Sequence, residues 1–278
     1  MEYFIFNGKF IQGSANILSA SNRGLRFGDG IFETIKSIDC DLQFIDEHFA
    51  RLWKGLQTLQ FIIPKHFSPD KLQNEITGLL QKNGHIKMAR VRLTVFRGDG
   101  GLFDEIDNKP NYLIQTWALS GDTGTWNSNG LVLGIYSEVK KSCDILSNLK
   151  HNNFLPYALA ALHAKKEKWN DSLILNTNDR LCDTSIANIF LIKDKVIYTP
   201  ALQEGCIAGI MRKEVIRRLH PTPEAVVEGK LSVDDLYNAD EVFLTNSIYN
   251  LRWVKSVDEK IYTNQYTQKI FSSLFPTN

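Results

Sequence analysis

The chain has 278 residues, long for one compact core and comfortable for two domains. Hydrophobic residues make up 43% and charged residues 23%, the balance of a globular protein, which excludes a disordered chain. The formal net charge of +1 leaves no basic surplus, so a nucleic-acid partner is not expected.

The N-terminus begins with strand-like Tyr3-Phe4-Ile5-Phe6 and has no basic region followed by an apolar run. No stretch reaches the length of a membrane span, so the cytoplasm is the expected compartment and a membrane partner is not expected. Cys40, Cys143, Cys182 and Cys206 show no CxxC pair and no histidine at metal spacing. Free thiols and no metal site are expected.

In chain order, Phe4-Ile5-Phe6, Asn7-Gly8 and Lys9-Phe10-Ile11 predict a hairpin, because Asn-Gly accepts the positive φ angles of a type I′ turn. Phe49, Leu52, Trp53, Leu56 and Leu59 predict an amphipathic helix over Glu47–Gln60, with Arg51 near its first turn. A second helix is expected over Pro69–Lys82. Along Met88–Phe96, Ala89, Val91, Leu93 and Val95 alternate with Arg90, Arg92 and Thr94, which predicts a strand and solvated arginines. Arg97-Gly98-Asp99-Gly100-Gly101 turns that strand into a loop; no helix follows, so it is not read as a phosphate loop. Tyr112–Trp117 predicts another strand. Ser120–Gly130 (SGDTGTWNSNG) lacks apolar periodicity and reads as a linker, 120–130, between an N-terminal domain, 1–119, and a C-terminal domain, 131–278.

Beyond it, Leu131–Tyr136 predicts a strand and Phe154–Lys168 a helix with Leu155, Leu159 and Leu162 on one side. Ser172–Asn176 is a short apolar strand that ends in the turn Asn176–Asp179. Ile189–Ile192 and Val196–Tyr198 form the arms of a hairpin around Lys193-Asp194-Lys195. A helix opens just after Gly209, over Ile210–Leu219. Ser232-Val233-Asp234-Asp235 resembles a capping box, Glu241–Thr245 is a strand, and a terminal helix closes the chain. Hairpins and helices in both halves predict an α+β fold, and the lack of GxGxxG after a strand speaks against a dinucleotide fold.

Four places carry chemistry of interest. Lys150 lies between a polar stretch and a helix. Arg51 is flanked by apolar residues on a helix and suits an anion with its planar fork. Gly205–Arg212 (GCIAGIMR) sets a loop before a helix whose N-terminus offers N–H groups to a phosphate. Asp183–Asn188 (DTSIAN) is a polar run between strands. Taken singly, each has an ordinary explanation: a surface lysine, an ion-paired arginine, a loop-to-helix join, a turn acid.

Taken together they resemble one family. Gly28-Asp29-Gly30-Ile31-Phe32-Glu33-Thr34 resembles the G-D-G-x-F-E signature of class IV aminotransferases, and His48-x-x-Arg51-Leu52 follows at the usual distance. Lys150 stands where that family has its Schiff-base lysine. Asp183 to Phe190 resembles its E-x-x-x-x-N-[IL]-F stretch; Tyr198-Thr199-Pro200, Gly209-Ile210-Met211-Arg212 and Phe243-Leu244-Thr245-Asn246-Ser247 fall in order. The resemblance covers nearly the whole chain.

It implies fold type IV: a small N-terminal α/β domain, a larger C-terminal α/β domain with a barrel-like sheet, pyridoxal 5′-phosphate between them, and a homodimer. It further implies that Lys150 carries the cofactor and moves the substrate proton, that Arg51, Ile210, Met211 and Ser247 hold the phosphate, and that Asp183 pairs with the ring nitrogen. Arg97, at its loop, and Thr34 are the candidate substrate contacts. Asp183 departs from the family, which usually has Glu there; its carboxylate sits one methylene back.

Three reactions run on this scaffold. Branched-chain and D-amino acid transamination use an amino acid and a 2-oxo acid; a lyase releases p-aminobenzoate and pyruvate from 4-amino-4-deoxychorismate. Lys150-His151-x-Asn153, Gly209–Arg212 and Arg97-Gly98-x-Gly100-Gly101 look like lyase versions, whereas Phe32-Glu33-Thr34 is more like the transaminases. The Arg-x-His pair of D-amino acid transaminases is absent. Branched-chain transamination is put first and the lyase second; a catalytically inactive binding protein on the same fold is a further reading.

Overall fold

The computed structural model describes residues 2–104, 106–222 and 225–276. The chain divides into two compact units, one running to Thr123 and taking back Leu149–Phe154, the other holding Gly124–Asn148 and the chain from Leu155 onward.

The first unit contains β1 (Tyr3–Phe6), β2 (Lys9–Gln12), α1 (Arg23–Phe27), β3 (Gly30–Ile38), β4 (Asp41–Leu42), α2 (Ile45–Thr58), α3 (Pro69–Asn83), β5 (Met88–Phe96) and β6 (Asn111–Ala118). Its strands form one antiparallel sheet in the order β2-β1-β6-β5-β3-β4. The expected hairpin is present: Asn7 and Gly8 take φ of 48° and 81°, and Phe6 pairs with Lys9. Ser68 caps α3, Pro69 opens it and left-handed Gly84 ends it, so its bounds follow from local chemistry.

Alternation along β3 and β5 divides the sheet into two faces. Ile31, Ile35, Val91, Leu93 and Val95 pack in one core with Phe49, Leu52 and Leu56 of α2 and Leu72, Ile76 and Leu79 of α3. The opposite face carries Phe32, Thr34 and Lys36, paired in register with Thr94, Arg92 and Arg90.

The second unit contains β7 (Leu131–Lys141), α4 (Leu155–Glu167), β8 (Asp171–Asn176), β9 (Leu181–Thr184), β10 (Asn188–Lys193), β11 (Val196–Pro200), α5 (Ile210–Leu219), β12 (Val226–Gly229), α6 (Val233–Asn238), β13 (Glu241–Asn246), β14 (Asn250–Val257), β15 (Lys260–Ile261) and α7 (Gln265–Leu274). The sheet runs β12-β11-β10-β13-β14-β7-β8-β9, and β9 returns to β10 through the pair Asp183↔Asn188. That pair closes β10, β13, β14, β7, β8 and β9 into a barrel, filled by Leu133, Leu173, Leu181, Ile189, Leu244 and Val254 among others. The capping box at Ser232 is formed, with Asp235 as its reciprocal partner.

Two expectations need adjustment. The apolar side of α4 faces outward: Leu155, Leu159 and Leu162 are 68%, 41% and 64% exposed, while the buried residues of the helix are Tyr157, Ala160 and Ala164. Ala160 and Ala164 lie on the side of α4 that packs on β7 and β8, and small residues there let helix and sheet approach closely. The stretch Leu149–Phe154, counted in the 131–278 half, packs with the first unit instead, because its backbone pairs with β3.

Candidate functional site

In the first unit the geometry starts at Gly28-Asp29-Gly30. Gly28 ends α1 with φ of 64°, a conformation that favours glycine. Gly30 lies under the returning segment: a Cβ there would stand 2.3 Å from the Val95 carbonyl oxygen and 2.5 Å from Asn152 Nδ2. This close approach lets Phe32 N–H donate to the Lys150 carbonyl and Asn152 N–H donate to the Gly30 carbonyl, both at 2.8 Å, with Ile31 and His151 paired between them. Lys150 is thereby fixed on β3, its Nζ 4.5 Å from the Phe32 ring centre and 5.4 Å from that of Phe154. A Gly30→Ala chain is expected to lose about 2 kcal/mol or more of stability, read as a lower denaturation midpoint; a wild-type midpoint would mean that the segment does not bear on β3.

Glu33, one residue beyond Phe32, points to the helix face and is buried. Its carboxylate accepts from Arg51 Nε at 2.8 Å and Nη2 at 2.5 Å, and from His48 Nδ1 at 2.6 Å. Burial opposes ionisation of Glu33, but the Arg51 charge and the bonds from His48 and Arg51 outweigh it and bring the pKa down to about 2. Burial pushes His48 down, so it stays neutral and donates through Nδ1–H. The result is an arginine held by a carboxylate in one orientation, on the helix packed against the strand that anchors Lys150.

Thr34 is half-buried on the Phe32 face, opposite Arg92. Arg92, expected to be solvated, is half-buried and lies over the Phe32 ring at 3.7 Å, so it and Lys150 flank one aromatic ring. Arg97, expected at the substrate, is engaged in the interior. It donates to Asp29 Oδ1 at 2.5 Å, to Asn108 Oδ1 at 2.9 Å and to the Leu59 carbonyl, and it covers the Phe61 ring. Its loop closes back on Asp29, which also accepts from Arg23, so the guanidinium is drawn inward. Arg97→Ala is expected to cost about 3 kcal/mol of stability and leave the KM for substrate unchanged; a raised KM in a protein of normal stability would restore the substrate role.

In the second unit Asp183, Asn188, Gly209–Met211 and Ser247 gather at one end of the barrel. Asp183 is 2% exposed. Its Oδ1 accepts from Asn188 Nδ2 at 2.9 Å, and its Oδ2 accepts from the Ile207 N–H at 2.9 Å and the Tyr157 hydroxyl at 2.8 Å. Asn188 also donates to the Ile207 carbonyl, and Asn148 donates to the Leu202 and Cys206 carbonyls, so the loop before α5 is pinned on both sides. A Cβ at Gly209 would stand 1.9 Å from Asn188 Oδ1, which requires glycine as the N-cap. No side chain caps α5 there, leaving the first-turn N–H groups of Ile210 and Met211 for another acceptor. Ser247 lies in the turn after β13, which Asn246 shapes by accepting from the N–H groups of Ile248 and Tyr249.

Sequence reasoning passes over Lys141, Tyr157 and Asn148. Lys141 is buried at the end of β7, and Tyr157 is buried on α4. Tyr157 is the one signal on offer, a hydroxyl among leucines and alanines. Cys182 and Cys206 are buried nearby, and burial pushes both thiols up, Cys206 to about 12. All four cysteines are free. Among the described residues no helix is long and apolar enough to cross a membrane, and no cluster of His, Cys, Asp and Glu suited to a metal ion is found.

One unit holds a barrel end with an uncapped helix and a buried carboxylate; the other holds a strand-anchored lysine and an arginine clamped by Glu33. The chain belongs to the class IV aminotransferases, whose family pattern matches residues 30–257. It is 27% identical over 267 residues to an aminodeoxychorismate lyase of Bacillus subtilis (93% of this chain, 88% of the relative). Identity is 25% over 268 residues to a branched-chain-amino-acid aminotransferase of Salmonella typhimurium (92% of this chain, 85% of the relative). The fold, α+β of fold type IV, is shared with the branched-chain amino acid aminotransferase from Escherichia coli: TM-score 0.86, 23% identity, covering 99% of this chain and 93% of that one.

Proposed function

We propose that this protein is a pyridoxal 5′-phosphate-dependent aminotransferase that exchanges an amino group between a branched-chain amino acid and a 2-oxo acid, with Lys150 as its cofactor lysine. The observation that carries this reading is the anchoring of Lys150 on β3, beside Phe32, by the backbone of the G-D-G-I-F-E motif. The residues present fit the cofactor. Its phosphate suits the positive charge of the Arg51 guanidinium, whose Nε and Nη2 are held by Glu33, and the uncapped α5 N-terminus; its ring nitrogen suits a buried carboxylate, and its aldehyde needs an amine.

When bound, the cofactor supplies an electron sink for the charge left at the substrate Cα. Lys150 Nζ would take the proton from the substrate Cα and hold it for return. Arg51, oriented by Glu33, holds the phosphate together with the N–H groups of Ile210 and Met211 and the Ser247 hydroxyl. Asp183 holds the ring nitrogen in its protonated form. Arg92 and Thr34, on the Phe32 face, orient the substrate carboxylate and exclude water from the lysine; Arg97, drawn inward, is given no part in it. A homodimer is inferred from the outward leucines of α4, and the cytoplasm from four free thiols; light scattering and fractionation test these.

An absorbance spectrum of the cofactor-loaded protein tests the reaction, taken before and after L-leucine, L-glutamate or D-alanine. Loss of the visible band with L-leucine and L-glutamate is the expected result; conversion by D-alanine alone would name a D-amino acid enzyme. A visible band that no donor converts would overturn transamination of these donors. It would bring forward the lyase reading, favoured by Lys150-His151 and by the likeness to the Bacillus subtilis lyase, with p-aminobenzoate release as the readout.

A further inference from the structure

Asp183 is one methylene shorter than the glutamate usual in the family, and the second unit surrounds it with a chain of donors that the family motif does not contain. Lys141 Nζ donates to the Tyr157 hydroxyl oxygen at 2.5 Å, and that hydroxyl donates to Asp183 Oδ2 at 2.8 Å. Lys141 Nζ itself lies 3.7 Å from Oδ2 and donates to the Ser147 carbonyl at 3.0 Å. Lys141 and Asp183 are 6% and 2% exposed. A buried ammonium and a buried carboxylate each carry a large desolvation cost, which falls when they form a neutral, hydrogen-bonded set. Burial and the charge of Asp183 push the Tyr157 hydroxyl well above its usual range, so it remains a donor.

The order of this chain has a chemical direction. Its two links both run toward Asp183, from Lys141 to the Tyr157 hydroxyl and from that hydroxyl to Oδ2. When Asp183 shares a proton with a base outside the chain, the state with the proton on that base leaves the negative charge beside Lys141 and at the Tyr157 hydroxyl. The state with the proton on Asp183 removes the charge both of them stabilise. The arrangement therefore drives the proton outward.

Resting on the reading of Asp183 as the partner of the cofactor ring nitrogen, we propose that Lys141 and Tyr157 are positioning residues that keep the short carboxylate aimed and ionised, so that it holds that nitrogen protonated. The Ile207 N–H and the Asn188 amide fix the two carboxylate oxygens sideways, and the Lys141–Tyr157 pair fixes their charge.

The test is a binding measurement on the full chain. Apo protein is titrated with pyridoxal 5′-phosphate and with its 1-deaza analogue, in which the ring nitrogen is a C–H, and the ratio of the two Kd values is read for wild type, Tyr157→Phe and Lys141→Met. Wild type is expected to prefer the nitrogen-bearing ring. Each variant is expected to lose about tenfold of that preference, the size of one hydrogen bond to a charged group. Tyr262→Phe, which removes another buried hydroxyl of this unit, one that donates to the Leu236 carbonyl, is expected to leave the ratio unchanged. If both ligands weaken equally in Tyr157→Phe and Lys141→Met, the two residues are merely structural and the inference is overturned while the cofactor reading stands. If wild type itself shows no preference, the assignment of Asp183 falls and takes the inference with it. Tyr157→Phe removes a single hydroxyl, so it decides the matter even if Lys141→Met does not fold.

Discussion

Lys150→Ala is expected to abolish amino-group exchange, with kcat down by about a thousandfold or more, while the protein folds and keeps affinity for pyridoxal 5′-phosphate through its phosphate ligands. The backbone around position 150 supplies the bonds to Phe32 and Gly30, and alanine retains them. What disappears is the amine proposed to attach the cofactor and carry the proton. The check has two parts: steady-state rates with L-leucine and 2-oxoglutarate, and peptide mass after borohydride reduction of the loaded protein. Wild type should gain the reduced cofactor mass on the peptide containing Lys150. A wild-type adduct on another lysine, or a Lys150→Ala enzyme of normal rate, would refute the assignment.

Glu33→Gln is expected to destabilise the protein by about 3 kcal/mol at neutral pH and to weaken cofactor binding, since it removes the charge that holds Arg51. The folded pKa of Glu33 lies at about 2, below its ordinary value of 4.5, so the ionised carboxylate favours the folded state. That contribution is fully present above about 4.5 and is lost as the pH falls toward 2. Urea unfolding of the two proteins at several pH values should therefore give a stability gap that is constant above about pH 5 and narrows in acid. A gap that instead narrows on the alkaline side would mean that a different group governs the pair. His48, kept neutral in the fold by burial, adds a separate loss of stability in both proteins as the pH falls below its ordinary 6.5.

The parts of this molecule that are legible in the sequence are those decided by neighbours in the chain. Asn7-Gly8 sets its own turn, Ser68-Pro69 opens its own helix, and the alternation of β5 follows from residues two apart. Residues whose partners lie far off are harder to read. Arg97 looks available because nothing within its loop requires it, whereas its carboxylate, Asp29, stands 68 positions earlier. Arg92 looks solvated because its alternation matches a wet face; the ring that shelters it, Phe32, belongs to another strand. Glycines in motifs stand out as signatures, but the reason for them exists only in three dimensions. A Cβ would meet a carbonyl oxygen at 2.3 Å at Gly30 and a side-chain oxygen at 1.9 Å at Gly209. Lys141 has no local signal at all, since Lys140 beside it is partly exposed and paired with Asp179.

The seam that closes the barrel, Asp183↔Asn188, limits which residues can be exchanged one at a time. Because the same aspartate joins two strands, accepts from the loop before α5 and meets Tyr157, its identity is tied to that of its neighbours. An Asp183→Glu chain would have to fit an extra methylene among buried side chains, and the tyrosine is the member of that set whose shrinkage would make the room. Glutamate at 183 and a smaller residue at 157 are therefore expected to be tolerated together better than either alone, a coupling that a double-mutant cycle on stability reads directly.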